Sequence, residues 1–282
     1  LIRGFWVGHN LLIPLIIIYR ILTYLTNNKL INSVCEEKGK NKMLNRGLIH
    51  SHYQASLRQQ LGVISHNIAN MNTAGFKSRT LTFKEHLNQR PGTEGLSFVE
   101  PKAIVKDFSQ GNLEVTNNPL HVALKGDGFF TVNTPDGVAY TRNGQFLLNT
   151  IGQLTMPDGK LVLDQGNAPI TVPNNTRQLK VTSRGEILAD GRPIGLLGIA
   201  SFADQQQLQE IGEGLYTSKT PPEPAANTIA IQGAIELSNV SPIMELTHLI
   251  DTQRAYERAS TDIDHEDERV SKTIDSIGRP TL

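Results

Sequence analysis

The strongest constraint on this chain lies at its C-terminal end. Residues Pro242 to Ile277 read as one long helix, with Ser241 placed to cap it and Pro242 tolerated just inside its first turn. Alternating steps of three and four from Leu246 reach Leu249, Gln253, Tyr256, Ser260, Ile263, Asp267, Val270, Ile274 and Ile277. Most of these are apolar, and nearly everything between them is charged or polar. The helix therefore carries a narrow stripe rather than a broad core face. At about 1.5 Å per residue it runs for roughly 50 Å, more than one small domain can cover. Gly278-Arg279-Pro280 then stops it.

A second helix of the same kind precedes the body of the chain. Leu57, Leu61, Ile64, Ile68 and Met71 repeat at steps of four and three among polar neighbours, and the run ends in Asn70-Met71-Asn72-Thr73-Ala74-Gly75-Phe76, where Asn and Gly permit a left-handed stop. Two such stripes cannot hide each other completely. The remaining apolar edge demands other copies or other proteins.

Between the helices, Ser78 to Lys106 has weak periodicity and reads as an extended connection with a turn over Asn88 to Gly95. Short apolar or alternating runs follow at 122–124, 129–132, 138–140, 145–148, 161–163, 170–172, 179–181 and 196–199, and Ile229 to Leu237 is strand-like again. Asp127-Gly128, Asp136-Gly137, Asn143-Gly144, Asp158-Gly159 and Asp190-Gly191 supply the positive φ that tight hairpins use. The expectation is α+β: terminal helices forming a coiled-coil-like layer, plus a mostly antiparallel all-β domain.

Residues 1–42 differ from the rest. Leu11 to Tyr19 is apolar but shorter than the roughly 20 residues a membrane span needs, Pro14 and Arg20 interrupt it, and no small-residue cleavage site follows. A start at Met43 and a membrane segment are both compatible with this pattern. Membrane contact is expected only if residues 1–42 are retained. The 27 basic and 27 acidic residues balance, which argues against a nucleic-acid partner. Cys35, the single cysteine, excludes an internal disulfide framework.

Asn67-Ile68-Ala69-Asn70-Met71-Asn72-Thr73-Ala74-Gly75-Phe76-Lys77 resembles the N-terminal signature of the bacterial flagellar rod and hook protein family. Glu236-Leu237-Ser238-Asn239-Val240, with Glu245, Leu249-Ile250 and Gln253-Arg254-Ala255-Tyr256-Glu257, is similar to the C-terminal one. Gly126-Asp127-Gly128-Phe129-Phe130 and Tyr140 to Phe146 resemble hallmarks of its β domain. The likeness covers essentially all of Met43 to Leu282, and residues 1–42 have no counterpart. It implies a division into an extension (1–42), an N-terminal rod helix (43–76), an extended connector (77–106), a β domain (107–237) and a C-terminal rod helix (238–282). It further implies a torque-transmitting structural subunit of the basal-body rod. With one β domain and no large insertion the chain is closer to the proximal-rod type than to the hook protein, the distal-rod type being the alternative. Partners implied are other flagellar rod proteins, further copies of this chain, and the flagellar type III export apparatus.

Catalytic and cofactor motifs give nothing to set against this. Gly126-Asp127-Gly128 and Gly212-Glu213-Gly214 lack the rest of a phosphate loop, and no Gly-x-Ser-x-Gly elbow occurs. Asp262, Asp264 and Glu266 copy the first spacings of a calcium loop, but Asp267 and Thr273 stand where its Gly and closing Glu belong. No enzyme activity, cofactor or metal is expected. A membrane-anchored β-domain binding protein is the reading from another class. The expected assembly surface comprises Leu57, Leu61, Ile64, Ile68, Asn70 and Asn72 on the first helix, and Leu246, Leu249, Gln253, Arg254, Tyr256, Ile263 and Val270 on the last. Arg254 and Glu257 there select the neighbour through charge, and apolar burial supplies the affinity.

Overall fold

The structure, a computed structural model, describes residues 49–88, 96–212, 214–225 and 227–278. The expectations for residues 1–42, for a helix start at Met43, for the turn between Asn88 and Gly95 and for the Arg279-Pro280 stop lie outside the described residues. Two compact units result. The described part of one comprises residues 49–55 and 258–278; the other runs from Ser56 to Glu257.

Helix α1 covers residues 49–69, and α2 spans Pro242–Gly278. Proline at the first position of α2 gives up an N–H that would have had no intrahelical partner, and the Glu245 N–H already bonds the Ser241 carbonyl at 3.0 Å. Gly75 ends the turn after α1 at φ 70°. There is no room for a side chain there: a Cβ would come within 2.5 Å of the Arg142 carbonyl carbon.

Strands β1 (Arg79–Asn88) and β2 (Leu96–Lys106) form a long antiparallel ribbon where the sequence suggests only extended chain. Its register shifts between Thr82 and Phe83, opposite Pro101, which has no N–H to donate to the ladder. Strand β3 (Leu113–Val115) pairs with Ala234–Glu236, and β4 (Val122–Lys125) with Ile229–Gln232, so the last strands before α2 return to the first strands of the β domain. A nine-stranded sheet is centred on the hairpin of β5 (Phe129–Thr134) and β6 (Gly137–Thr141). A three-stranded sheet of Leu179–Val181, Glu186–Ala189 and Arg192–Leu196 stands beside it. Two helices and a mostly antiparallel β domain make the α+β arrangement that the patterning predicts.

β5 explains how so many short strands share an interior. Successive side chains of a strand point to opposite faces, so Phe129 and Phe130, both fully buried, enter different cores. Phe130 packs edge-on to Phe146 at 5.0 Å in a cluster with Val132, Val162, Ile187 and Leu197. Phe129 joins Tyr140, Phe202 and Tyr216 in the second cluster. A strand covered on both faces loses the polar alternation of a solvent-facing one, and 129–132 accordingly holds Phe129, Phe130 and Val132 with a buried Thr131 between them.

Two Asx-Gly pairs do a different job from the one expected of them. Gly137, Gly159 and Gly191 have positive φ at hairpin turns, whereas Gly128 and Gly144 do not adopt positive φ. A Cβ at Gly128 would meet the side chains of Ile199 and Thr228, and one at Gly144 would collide with the Val122 carbonyl oxygen. These glycines permit close approach rather than reversal. Gly144→Ala should therefore destabilise the β domain by about 1–3 kcal/mol, while Gly137→Ala, with open space around its Cβ position, should show only the smaller backbone-strain penalty; chemical denaturation of both variants checks the order.

Candidate functional site

The site is a junction where the root of α1, the β domain and the root of α2 meet around one buried carboxylate. Glu236 is 1% exposed. Its Oε1 lies 2.5 Å from the Lys77 ammonium and accepts the Gly111 N–H at 3.0 Å; its Oε2 lies 3.4 Å from the Arg142 guanidinium. Lys77 also donates to the Ser109 carbonyl at 2.7 Å, and Arg142 to the Gly126 carbonyl at 2.6 Å with its guanidinium 4.8 Å from the Phe129 ring centre. Burial pushes Lys77 below the ordinary lysine range and Glu236 opposes that shift; burial likewise lowers Arg142, again against Glu236. The Glu236 carbonyl oxygen accepts the Gly75 N–H at 2.8 Å, so backbone and side chain of this residue both hold the segment that follows α1.

Two asparagines extend the junction. Asn67, 1% exposed, exchanges hydrogen bonds with the backbone of Arg79, accepting its N–H at 2.9 Å and donating to its carbonyl at 2.8 Å, and donates to Glu245 of α2 at 3.2 Å. Asn239 accepts the Ser78 N–H at 2.7 Å and donates to the Asp107 carbonyl at 2.8 Å. The segment 77–79 is thus gripped from a helix on one side and from the approach to α2 on the other. An amide can do this because it offers donor and acceptor together.

At alternate positions the seam of α2 is displaced by one residue from the one that its apolar residues suggest. Buried and half-buried side chains follow Glu245, Leu249, Thr252, Tyr256, Ala259, Ile263, Glu266 and Val270, an unbroken alternation of four and three. Thr252 is 6% and Ala259 2% exposed; small residues mark close packing but carry little hydropathy signal. Leu249, Tyr256, Ile263 and Val270 lie half-buried on this seam, whereas Leu246, Gln253 and Arg254 are exposed. On α1, Leu57 and Ile64 are buried within their own chain and Leu61 and Ile68 half-buried. Asn70 is half-buried, with its side chain bonded to the His66 carbonyl at 2.9 Å, and Asn72 is exposed. Leu246 belongs to a second stripe, with Ile243 at 78% and Ile250 at 50% exposure, and Met244 lies beside it.

Lys77, Arg142 and Glu236 were legible only as members of motifs. The signal that singles them out is a lone charge within or beside an apolar run: Lys77 after Gly75-Phe76, Arg142 after Ala139-Tyr140-Thr141, and Glu236 after Ala234-Ile235. Among the described residues no group of three or more His, Cys, Asp or Glu side chains is placed to hold a metal, and no helix is long and apolar enough to cross a membrane.

Replacing Glu236 with Gln leaves two buried cations without their counter-charge, and should cost about 3–5 kcal/mol, the range for breaking a buried pair; Glu268→Gln, which removes an exposed partner of Lys272, should leave the denaturation midpoint nearly in place. A pH effect is also expected at His66, which packs 5.5 Å from the Phe76 ring. Burial, assisted by Arg79, holds its pKa below the ordinary value. As pH falls, the unfolded chain takes up this proton first, so the contribution to stability is full above about pH 6.5 and is lost as pH drops through the lower folded value. Melting between pH 7.5 and 5.5 should show the decline, and His66→Gln should reduce it.

The junction coincides with the regions that match known sequences. Profiles described as Flagella basal body rod protein, Flagellar hook protein FlgE/F/G D1 domain, and Flagellar basal body rod FlgEFG protein C-terminal match residues 54–77, 123–189 and 231–276. Each contributes one member of the ion triad. Over 233 residues the chain is 32% identical to the flagellar basal-body rod protein FlgF of Caulobacter vibrioides, covering 80% of this chain and 95% of that one. It is 32% identical over 211 residues to FlgF of Mesorhizobium japonicum, covering 73% and 87%. The rod protein FlgG of Buchnera aphidicola subsp. Schizaphis graminum is 34% identical over 243 residues, covering 75% and 92%. With similarity running through nearly the full length of these proteins and through all three limbs of the junction, the chain belongs to the flagellar basal-body rod family, in its FlgF type, and is a structural subunit of that rod.

Proposed function

We propose that this subunit occupies the proximal rod and joins its neighbours mainly through α2, its β domain packing outside the layer of terminal helices and the Glu236 junction carrying torque between them. The observation behind this reading is the exposed stripe of Ile243, Leu246 and Ile250, with Met244 beside it. Fully burying an apolar side chain of this size contributes about 1.5–3 kcal/mol, so a few of them suffice for a contact that is repeated along an assembly. Polar Gln253 and Arg254 follow on the helix, where charge selects the neighbour more than it binds it. Heterologous contacts that do not close on themselves propagate into a helical filament, the geometry a rod requires.

The same reading includes delivery through the flagellar type III export apparatus as an unfolded chain. Its physical support is the thinness of the seams: isolated helices of this kind are marginal in water, so the termini need not be held folded before they reach their neighbours.

The exposed stripe of α2 is the place to test this. Leu249 and Ile263 are half-buried in their own chain, so charging them would confound folding with assembly; Leu246 and Ile250 are the informative pair. Leu246→Asp with Ile250→Asp should leave the melting temperature of the purified protein unchanged. In cells lacking their own FlgF the variant should be exported but absent from isolated basal bodies, and swimming should not return. Normal incorporation of this variant would overturn the assignment of that face.

A further inference from the structure

The β domain contains a groove of about 300 Å³ that the junction and the helices do not use. Its lining includes Tyr140, Asp164, Gln165, Asn167, Glu223 and Pro224, and no lysine, arginine or histidine. Tyr140 is 92% buried as a residue, being 8% exposed, with its ring edge-on to Phe202 at 4.8 Å. Its hydroxyl has no hydrogen-bonding partner among the described residues, although the residue lines the groove. A phenol whose ring is fixed by packing and whose hydroxyl is both donor and acceptor is placed to meet a ligand in the groove.

The rim is built as well as charged. Asp164 Oδ1 accepts the Gly166 and Ala168 N–H groups, each at 2.8 Å, which fixes the loop and leaves Oδ2 without a partner among the described residues. The same turn holds Asn167 at φ 62°, a conformation that non-glycine residues seldom adopt. Across the groove, Glu223 is exposed on a short strand anchored by Ser201 and Ala200 of the sheet.

We propose that this groove receives one basic side chain, a lysine or arginine presented by an adjoining polypeptide, with the Tyr140 hydroxyl on its floor and Asp164 and Glu223 as counter-charges. Two carboxylates without a basic residue in the lining favour a cation over a neutral ligand, and Pro222 and Pro224 offer apolar surface to an alkyl stem. On the rod-subunit reading the adjoining polypeptide is a neighbouring rod protein; the chemistry of the groove does not rest on that reading.

The test titrates the full isotope-labelled chain with N-acetyl-arginine amide and follows backbone amide shifts. Shifts should concentrate at Thr131, Val138 to Tyr140, Asp164 to Asn167 and Glu223. Tyr140→Phe keeps the ring packing and removes the hydroxyl, and should weaken binding about tenfold, as loss of a hydrogen bond to a charged group does. Glu223→Gln, at an exposed position, should weaken it severalfold without moving the melting temperature. The proposal is overturned if N-acetylglucosamine shifts these amides and the arginine compound does not, if neither does, or if both variants bind as the parent does. Failure of the rod reading would register instead in the incorporation of the α2 variant.

Discussion

A carboxylate sealed between two cations governs how the segments that follow α1 and precede α2 attach to the β domain. Removing three charges from water carries a large penalty, and the Coulombic gain repays it only where geometry and extra hydrogen bonds cooperate. Here the Gly111 N–H and the carbonyls of Ser109 and Gly126 supply some of those bonds, while Arg142 Nε lacks a partner among the described residues. An apolar cluster of equal volume could stabilise as well. What it could not do is insist on three particular segments. Glu236 in the wrong register leaves Lys77 and Arg142 buried and unpaired, so misaligned packings of the helical roots on the β domain are penalised far more heavily than a hydrophobic slip would be.

The asparagine grips at Asn67 and Asn239 serve the same specificity by neutral means. Each satisfies backbone groups of the short stretch between Lys77 and Arg79 that would otherwise compete for water. A rigid joint follows from many short-range, directional constraints rather than from a large buried area. Force applied along α2 meets hydrogen bonds and ion pairs loaded together at its root, and these yield less gradually than packed methyl groups.

Much of this was legible in the sequence, and the omissions have physical causes. The helices announced themselves by periodicity and the β domain by short apolar runs. The ribbon from Arg79 to Lys106 does not, because the alternation around Leu81 and Phe83 is not sustained through its two strands and its pairing depends on a partner up to 27 residues away. The strand Glu186–Ala189 was missed because its buried residues are only Ile187 and Ala189, too few to register as a pattern. Hydropathy places the α2 seam one residue off at alternate positions, since Leu246 outweighs Glu245 on any hydropathy scale and Thr252 and Ala259 barely register. Hydropathy finds where a helix could be buried; small residues show where it is. The residues of the ion triad stand inside sequence motifs, but their mutual proximity is a property of topology, which no local window contains.

The register of the α2 seam also limits how that helix can meet its surroundings. A seven-residue repeat kept from Glu245 to Val270 drifts about 20° per heptad against a straight helix, roughly 70° over this length. A straight column laid against the outer stripe therefore stays in line with it for only a couple of turns before the surface rotates away. The apolar stripe ends at Ile250, where Gln253 and Arg254 take over. A companion helix that follows this seam for its full length must therefore wind around it in a left-handed sense, as a sustained seven-residue repeat requires.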